Sequence, residues 1–194
     1  MSAPLLLFPG AGSSADHPSL VAIEAAVEPR PVVRADFPYR KAGRRAPDRA
    51  PVLLQCVRDE AAPLLARGEG LVLGGRSMGG RMCSLAVGDE ADPLPATALV
   101  LISYPLHPPG KSDRLRVEHF PRLTVPCLFV SGTKDTFGTP DELQEWTATI
   151  PGPVTHVWID RKGHDLKGAD QQVAGAVADF LAGLTPRRSR GRRG

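Results

Sequence analysis

Six short apolar runs alternate with longer stretches of helical periodicity along this chain, and that alternation limits the folds open to it more than any other feature. The expected strands cover 4–8 (PLLLF), 31–36 (PVVRAD), 70–74 (GLVLG), 97–103 (TALVLIS), 126–131 (PCLFVS) and 153–159 (PVTHVWI). Most are nearly continuous apolar runs, as strands are when helices cover both faces of a parallel sheet. Helices are expected over about 18–28, 48–67, 79–88, 140–149 and 169–184. At 140–149 the boundary is explicit: Thr139 as N-cap, Pro140 at the first helical position and Glu142 completing a capping box. In the last helix Val173, Val177, Phe180, Leu181 and Leu184 recur on one face. The pattern predicts an α/β fold with a mostly parallel six-stranded sheet, helices on both faces and no separate lid domain. One domain over 1–185, followed by a basic tail over 186–194, accounts for the whole length, and 42% apolar residues suffice for its core.

In such sheets ligands bind beyond the carboxyl ends of the strands, so the loops after strands should hold the chemistry. The third run ends in "GGRSMGGR", in which Gly75-Arg76-Ser77-Met78-Gly79 fits G-x-S-x-G, a strand-to-helix turn that exposes a nucleophile. A P-loop would require Lys after its second glycine, and position 80 is Gly. A serine hydroxyl needs a base, and the base needs an orienting acid. Of five histidines, His164 in "DRKGHDL" follows the last strand and is best placed to reach Ser77. His156 falls inside a strand, His17 flanks the first helix, His119 falls in an expected surface turn and His107 lies near a substrate rim. Asp135 in "SGTKDTFGTP" follows the fifth strand, whereas Asp141 fits a helix first turn and Asp165 adjoins His164 too closely to orient it. The order Ser77, Asp135, His164 is the chain order of an α/β-hydrolase triad. Oxyanion donors are expected from the backbone N–H groups of Met78 and of Ala11, the latter in the "FPGAGSS" loop with Gly10 and Gly12.

"PGAGSS", "GGRSMGGR", "SGTKD" and "GHDL" together resemble the small serine α/β-hydrolases of the dienelactone-hydrolase-like group, over nearly all of 4–184. The resemblance implies a minimal, six-stranded version of that fold, with the first strand here standing where the full fold has its third. It also implies Ser77 as nucleophile, Asp135 as acid and His164 as base. Dienelactone hydrolases proper carry a cysteine nucleophile, so Ser77 argues against dienelactone itself as the substrate, and the expected substrate is a small carboxylic ester, thioester or other lactone. Some relatives with a similar elbow serve as subunits of chromatin complexes, which keeps a non-catalytic interaction module as the alternative.

Residues 104–125 are too short and proline-rich for a lid, so the pocket should be open and suited to a small-molecule ester. Tyr104 and His107 are expected to line it, together with Gly10. Arg40, Lys41, Arg44 and Arg45 follow the second strand and favour an anionic substrate. A dinucleotide site is a weaker rival. Gly10-Ala11-Gly12-Ser13-Ser14-Ala15 fits G-x-G-x-x-A, with Asp36 placed for a ribose, yet Pro18 starts the helix beyond Ala15.

No metal or cofactor is called for. The tail has five arginines in its last eight residues, but no aromatic residue to stack on bases, so nucleic acid is not the expected partner. No apolar run is long enough to span a membrane. Three cysteines, Cys56, Cys83 and Cys127, read as reduced core residues of a cytoplasmic protein. Oligomeric state leaves no mark in the sequence.

Overall fold

A computed structural model describes residues 2–184. The expected basic tail, 186–194, lies outside the described residues. Six parallel strands form one sheet in the order β2-β1-β3-β4-β5-β6. They are β1 (Leu5–Phe8), β2 (Val32–Arg34), β3 (Val72–Arg76), β4 (Ala98–Ile102), β5 (Cys127–Gly132) and β6 (Val154–Ile159). The helices are α1 (Pro18–Ala26), α2 (Pro38–Lys41), α3 (Ala50–Leu65), α4 (Met78–Val87), α5 (Pro140–Thr147) and α6 (Asp170–Gly183).

Strand side chains alternate between faces, and the core divides accordingly. Leu6, Phe8, Leu73, Leu99, Leu101 and Phe129 point toward α3, α4 and α5. Leu5, Leu7, Val72, Val100, Ile102 and Leu128 point toward α1 and α6. Val173, Val177 and Leu181 of α6 are buried as the periodicity requires, with Phe180 and Leu184 packed beside them. The capping box at Thr139 and Glu142 forms, and His17 caps α1 by accepting from the Ser19 N–H. All three cysteines are buried and unpaired.

Three local expectations are corrected. β3 begins two residues late and runs through Gly74 and Gly75 to Arg76, because β1 and β4 flank both glycines and complete their pairing. The four-residue α2, started by Pro38, was not expected. His119 is buried rather than on the surface, with its Nε2 2.8 Å from Ser84 Oγ.

The buried ring of His119 has a measurable consequence. Burial pulls its imidazole down to about 4, and the Arg81 and Arg122 guanidiniums repel its charged form. An unfolded His titrates near ~6.5. On acidification the unfolded chain therefore takes the proton first. Stability is fully present above pH ~6.5 and declines toward pH ~4, by about 3 kcal/mol for this one group. Urea unfolding across that window should give a flatter stability profile for His119→Gln than for the wild type. His17 and His156, which burial also lowers, act in the same direction in both proteins and cancel in the comparison.

Candidate active site

The chain leaves β1 toward β2 on one side and returns to β3 on the other, so the loops after β1 and β3 diverge around a crevice. Ser77 occupies the turn between β3 and α4 with φ 49° and ψ −116°, a left-handed backbone that costs a non-glycine residue about 1–3 kcal/mol. Ser77 N–H donates to Ile102 O at 2.7 Å and anchors the turn to β4. Gly75 is required by space: a Cβ there would sit 2.5 Å from Phe8 O and 2.8 Å from Gly80 N. The close crossing of β3 and α4 therefore depends on a bare backbone.

Ser77 Oγ lies 2.8 Å from His164 Nε2, and His164 Nδ1 lies 2.8 Å and 3.0 Å from the two Asp135 oxygens. These groups come from the loops after β3, β6 and β5. The Asp135 carboxylate is 1% exposed and also accepts from Phe137 N–H at 2.8 Å. With the imidazole neutral, Nδ1–H donates to Asp135 and Nε2 is left to accept from the Ser77 hydroxyl.

Two neighbours hold this chain of hydrogen bonds. The Phe137 ring stacks on His164 at 3.9 Å between centroids and 26° between planes. Arg76 Nη2 donates to His164 O at 3.0 Å, tying the histidine loop to the serine turn. Burial lowers the Arg76 guanidinium, opposed by the charges of Asp165, Asp135 and Asp170. Sequence reasoning missed both supports. The only sign of Phe137 was its place two residues after an aspartate, the spacing of an Asx turn.

A cleft of about 360 Å³ opens at the serine, lined in part by Ala11, Ser77 and Met78. That volume is near the small end for ligand sites. A larger hollow of about 900 Å³ lies between β6 and α6 and contains none of the three hydrogen-bonded groups, whereas Ser77 lines the smaller cleft, which is therefore the candidate site. Met78 is the first residue of α4, where an N–H has no partner within the helix. Ala11 is exposed in the loop after β1, next to a tight turn in which Gly12 has φ 74°. Gly10 is less constrained, since a Cβ there would make ordinary 3.5 Å contacts with Arg76 and Ser77.

The remaining rim residues are placed differently from expectation. Tyr104 is 1% exposed, its ring against Phe120 and Phe129 and its hydroxyl donating to Arg116 O at 2.7 Å. Its ring faces the core because the chain turns inward after β4, and the neighbouring Pro105 reaches the cleft instead. His107 is also buried, with Nδ1 2.9 Å from Pro108 O and Nε2 3.4 Å from Glu142 Oε1. Arg40 belongs to α2 and is not among the residues lining the cleft. Around it, Lys41 pairs with Glu60 at 2.6 Å and Arg44 with Asp48 at 2.8 Å, so much of that basic segment is neutralised. Asp36 accepts from Ala15 N–H at 2.8 Å, and α1 starts at Pro18, leaving neither part of a dinucleotide fingerprint in its working position.

The alpha/beta hydrolase domain model matches residues 1–178. The chain belongs to the α/β-hydrolase family. Solved structures agree on the fold of this hydrolase. Est1E from Butyrivibrio proteoclasticus superposes with a TM-score of 0.74 at 16% identity, over 94% of this chain and 88% of that one. A putative hydrolase of the alpha/beta superfamily from Xanthomonas campestris pv. campestris gives 0.72 at 21%, over 93% and 99%. The monoacylglycerol lipase of Paleococcus ferrophilus gives 0.73 at 13%, over 94% and 95%. Among the described residues of the hydrolase, no helix is long and apolar enough to cross a membrane.

Proposed function

We propose that this α/β-hydrolase cleaves a small carboxylic ester, thioester or lactone through an acyl-enzyme on Ser77. The observation that carries the reading is the continuous chain from Ser77 Oγ through His164 to Asp135, with 2.8 Å at each link. Its three members come from three separate strand ends.

In the first step Ser77 Oγ attacks the carbonyl carbon while its proton passes to His164 Nε2. The resulting imidazolium is held by the buried Asp135 carboxylate, which stays ionised. The carbonyl oxygen becomes an oxyanion facing the N–H groups of Met78 and Ala11, a contribution worth about 2.7–4 kcal/mol per donor in comparable sites. Collapse expels the alcohol or thiol, which takes the proton from Nε2. Water then repeats the sequence on the acyl-serine, with Nε2 again accepting and returning one proton, and the acid leaves. Nothing in these steps draws on a metal or a cofactor.

A panel of p-nitrophenyl esters, thioesters and lactones, run beside Ser77→Ala, tests the reading. Turnover of short-chain members by the wild type alone is expected. Equal rates in the two proteins would refute it.

A further inference from the structure

We infer that the cleft selects an ester bearing a second, ionised carboxylate, which Arg81 and Arg116 receive beside Ser77. This deepens the proposed hydrolase reading, since it takes Ser77 as the reacting group.

Arg81 lies one helical turn beyond the serine, its N–H donating to Ser77 O at 3.0 Å, so its side chain rises from the same face of α4. Arg116 comes from the irregular segment between β4 and β5, where the Tyr104 hydroxyl fixes its carbonyl at 2.7 Å. Both are half-buried and both line the 360 Å³ cleft. Neither forms a salt bridge among the described residues. Among the described residues the buried Arg81 Nε has no hydrogen-bond partner, and Arg116 Nη1 has only a long 3.5 Å approach to Pro105 O.

Among the described residues the one carboxylate lining the cleft is Asp48, whose Oδ1 is engaged by Arg44 at 2.8 Å and whose Oδ2 is buried without a hydrogen-bond partner, so neither oxygen pairs with Arg81 or Arg116. Two guanidiniums thus remain uncompensated in a confined space. Burial and the charge of Arg81 both lower Arg116, as expected when like charges share a cleft. A planar carboxylate would relieve that repulsion and satisfy the fork geometry of the guanidinium. The anionic preference expected from the Arg40–Arg45 segment is thereby moved to residues next to the reacting serine.

Binding to the Ser77→Ala protein separates this inference from hydrolysis. Monomethyl esters of succinate, glutarate and adipate, each beside its dimethyl ester, would be titrated by calorimetry. At least one monomethyl ester should bind roughly tenfold or more tightly than its neutral counterpart, and moderate salt should erode the difference. Arg81→Gln and Arg116→Gln should each reduce the anionic preference by about tenfold, with the Lys variants retaining part of it. Equal binding of charged and neutral esters, no binding of either at millimolar concentration, or a preference unchanged in both Gln variants would overturn the inference. Anion binding alongside a wild type inactive on every ester would instead count against the Ser77 reading alone.

Discussion

Replacing Ser77 with Ala should leave the protein folded and lower kcat for a good ester substrate by about 10⁶-fold, the scale seen when a triad nucleophile is removed. Among the described residues the only side-chain hydrogen bond of Ser77 is the one to His164, and the turn is anchored by its backbone bond to Ile102, which alanine retains. Alanine tolerates φ 49° no better and no worse than serine, so a melting curve should move little. His164→Ala should cost about as much, and the double variant little more, because the two groups act as one unit. Steady-state rates on the four proteins, with circular dichroism to verify folding, check both the size and the non-additivity.

Asp135→Asn should lower kcat by about 10⁴-fold while keeping the native fold. Asparagine matches the shape of aspartate and can still accept from Phe137 N–H. Its amide has a single oxygen, so one of the two positions facing Nδ1 becomes a donor. If Asn presents N–H to Nδ1, the imidazole proton moves to Nε2, which then donates to Ser77 Oγ instead of accepting from its hydroxyl. The imidazolium formed during attack would also lose its buried counter-charge. Pre-steady-state rates of acylation should fall in parallel with kcat, since the same defect strikes the first chemical step.

The legible features in this sequence were those written in local chemistry. Strand runs, the Pro18 and Pro140 helix starts and the glycines around Ser77 each act over a few residues, and the structure places them within about two residues of expectation. The pairing of Ser77 with His164 was also readable, because both follow strands of one parallel sheet and such loops share an edge. What escaped depends on depth and on irregular chain. His119 sits among polar and aromatic neighbours that read as a turn, yet the chain folds beneath α4 and its ring reaches Ser84. Tyr104 follows a strand end like a rim residue, but its ring turns inward, tilted against Phe120 and edge-on to Phe129. Arg116 approaches Ser77 only through a long segment with no periodic signal, so no spacing rule could have joined it to Arg81.

The central claim is that Ser77 is an activated nucleophile, and covalent labelling tests it most directly. A fluorophosphonate should attach to the folded protein once, at Ser77, with loss of fluoride. Intact-mass and peptide-mapping spectrometry would show the adduct, and labelling should vanish on denaturation and slow greatly in His164→Ala. A folded protein whose Ser77 stays unmodified at high probe concentration, or one labelled equally fast without His164, would contradict the account.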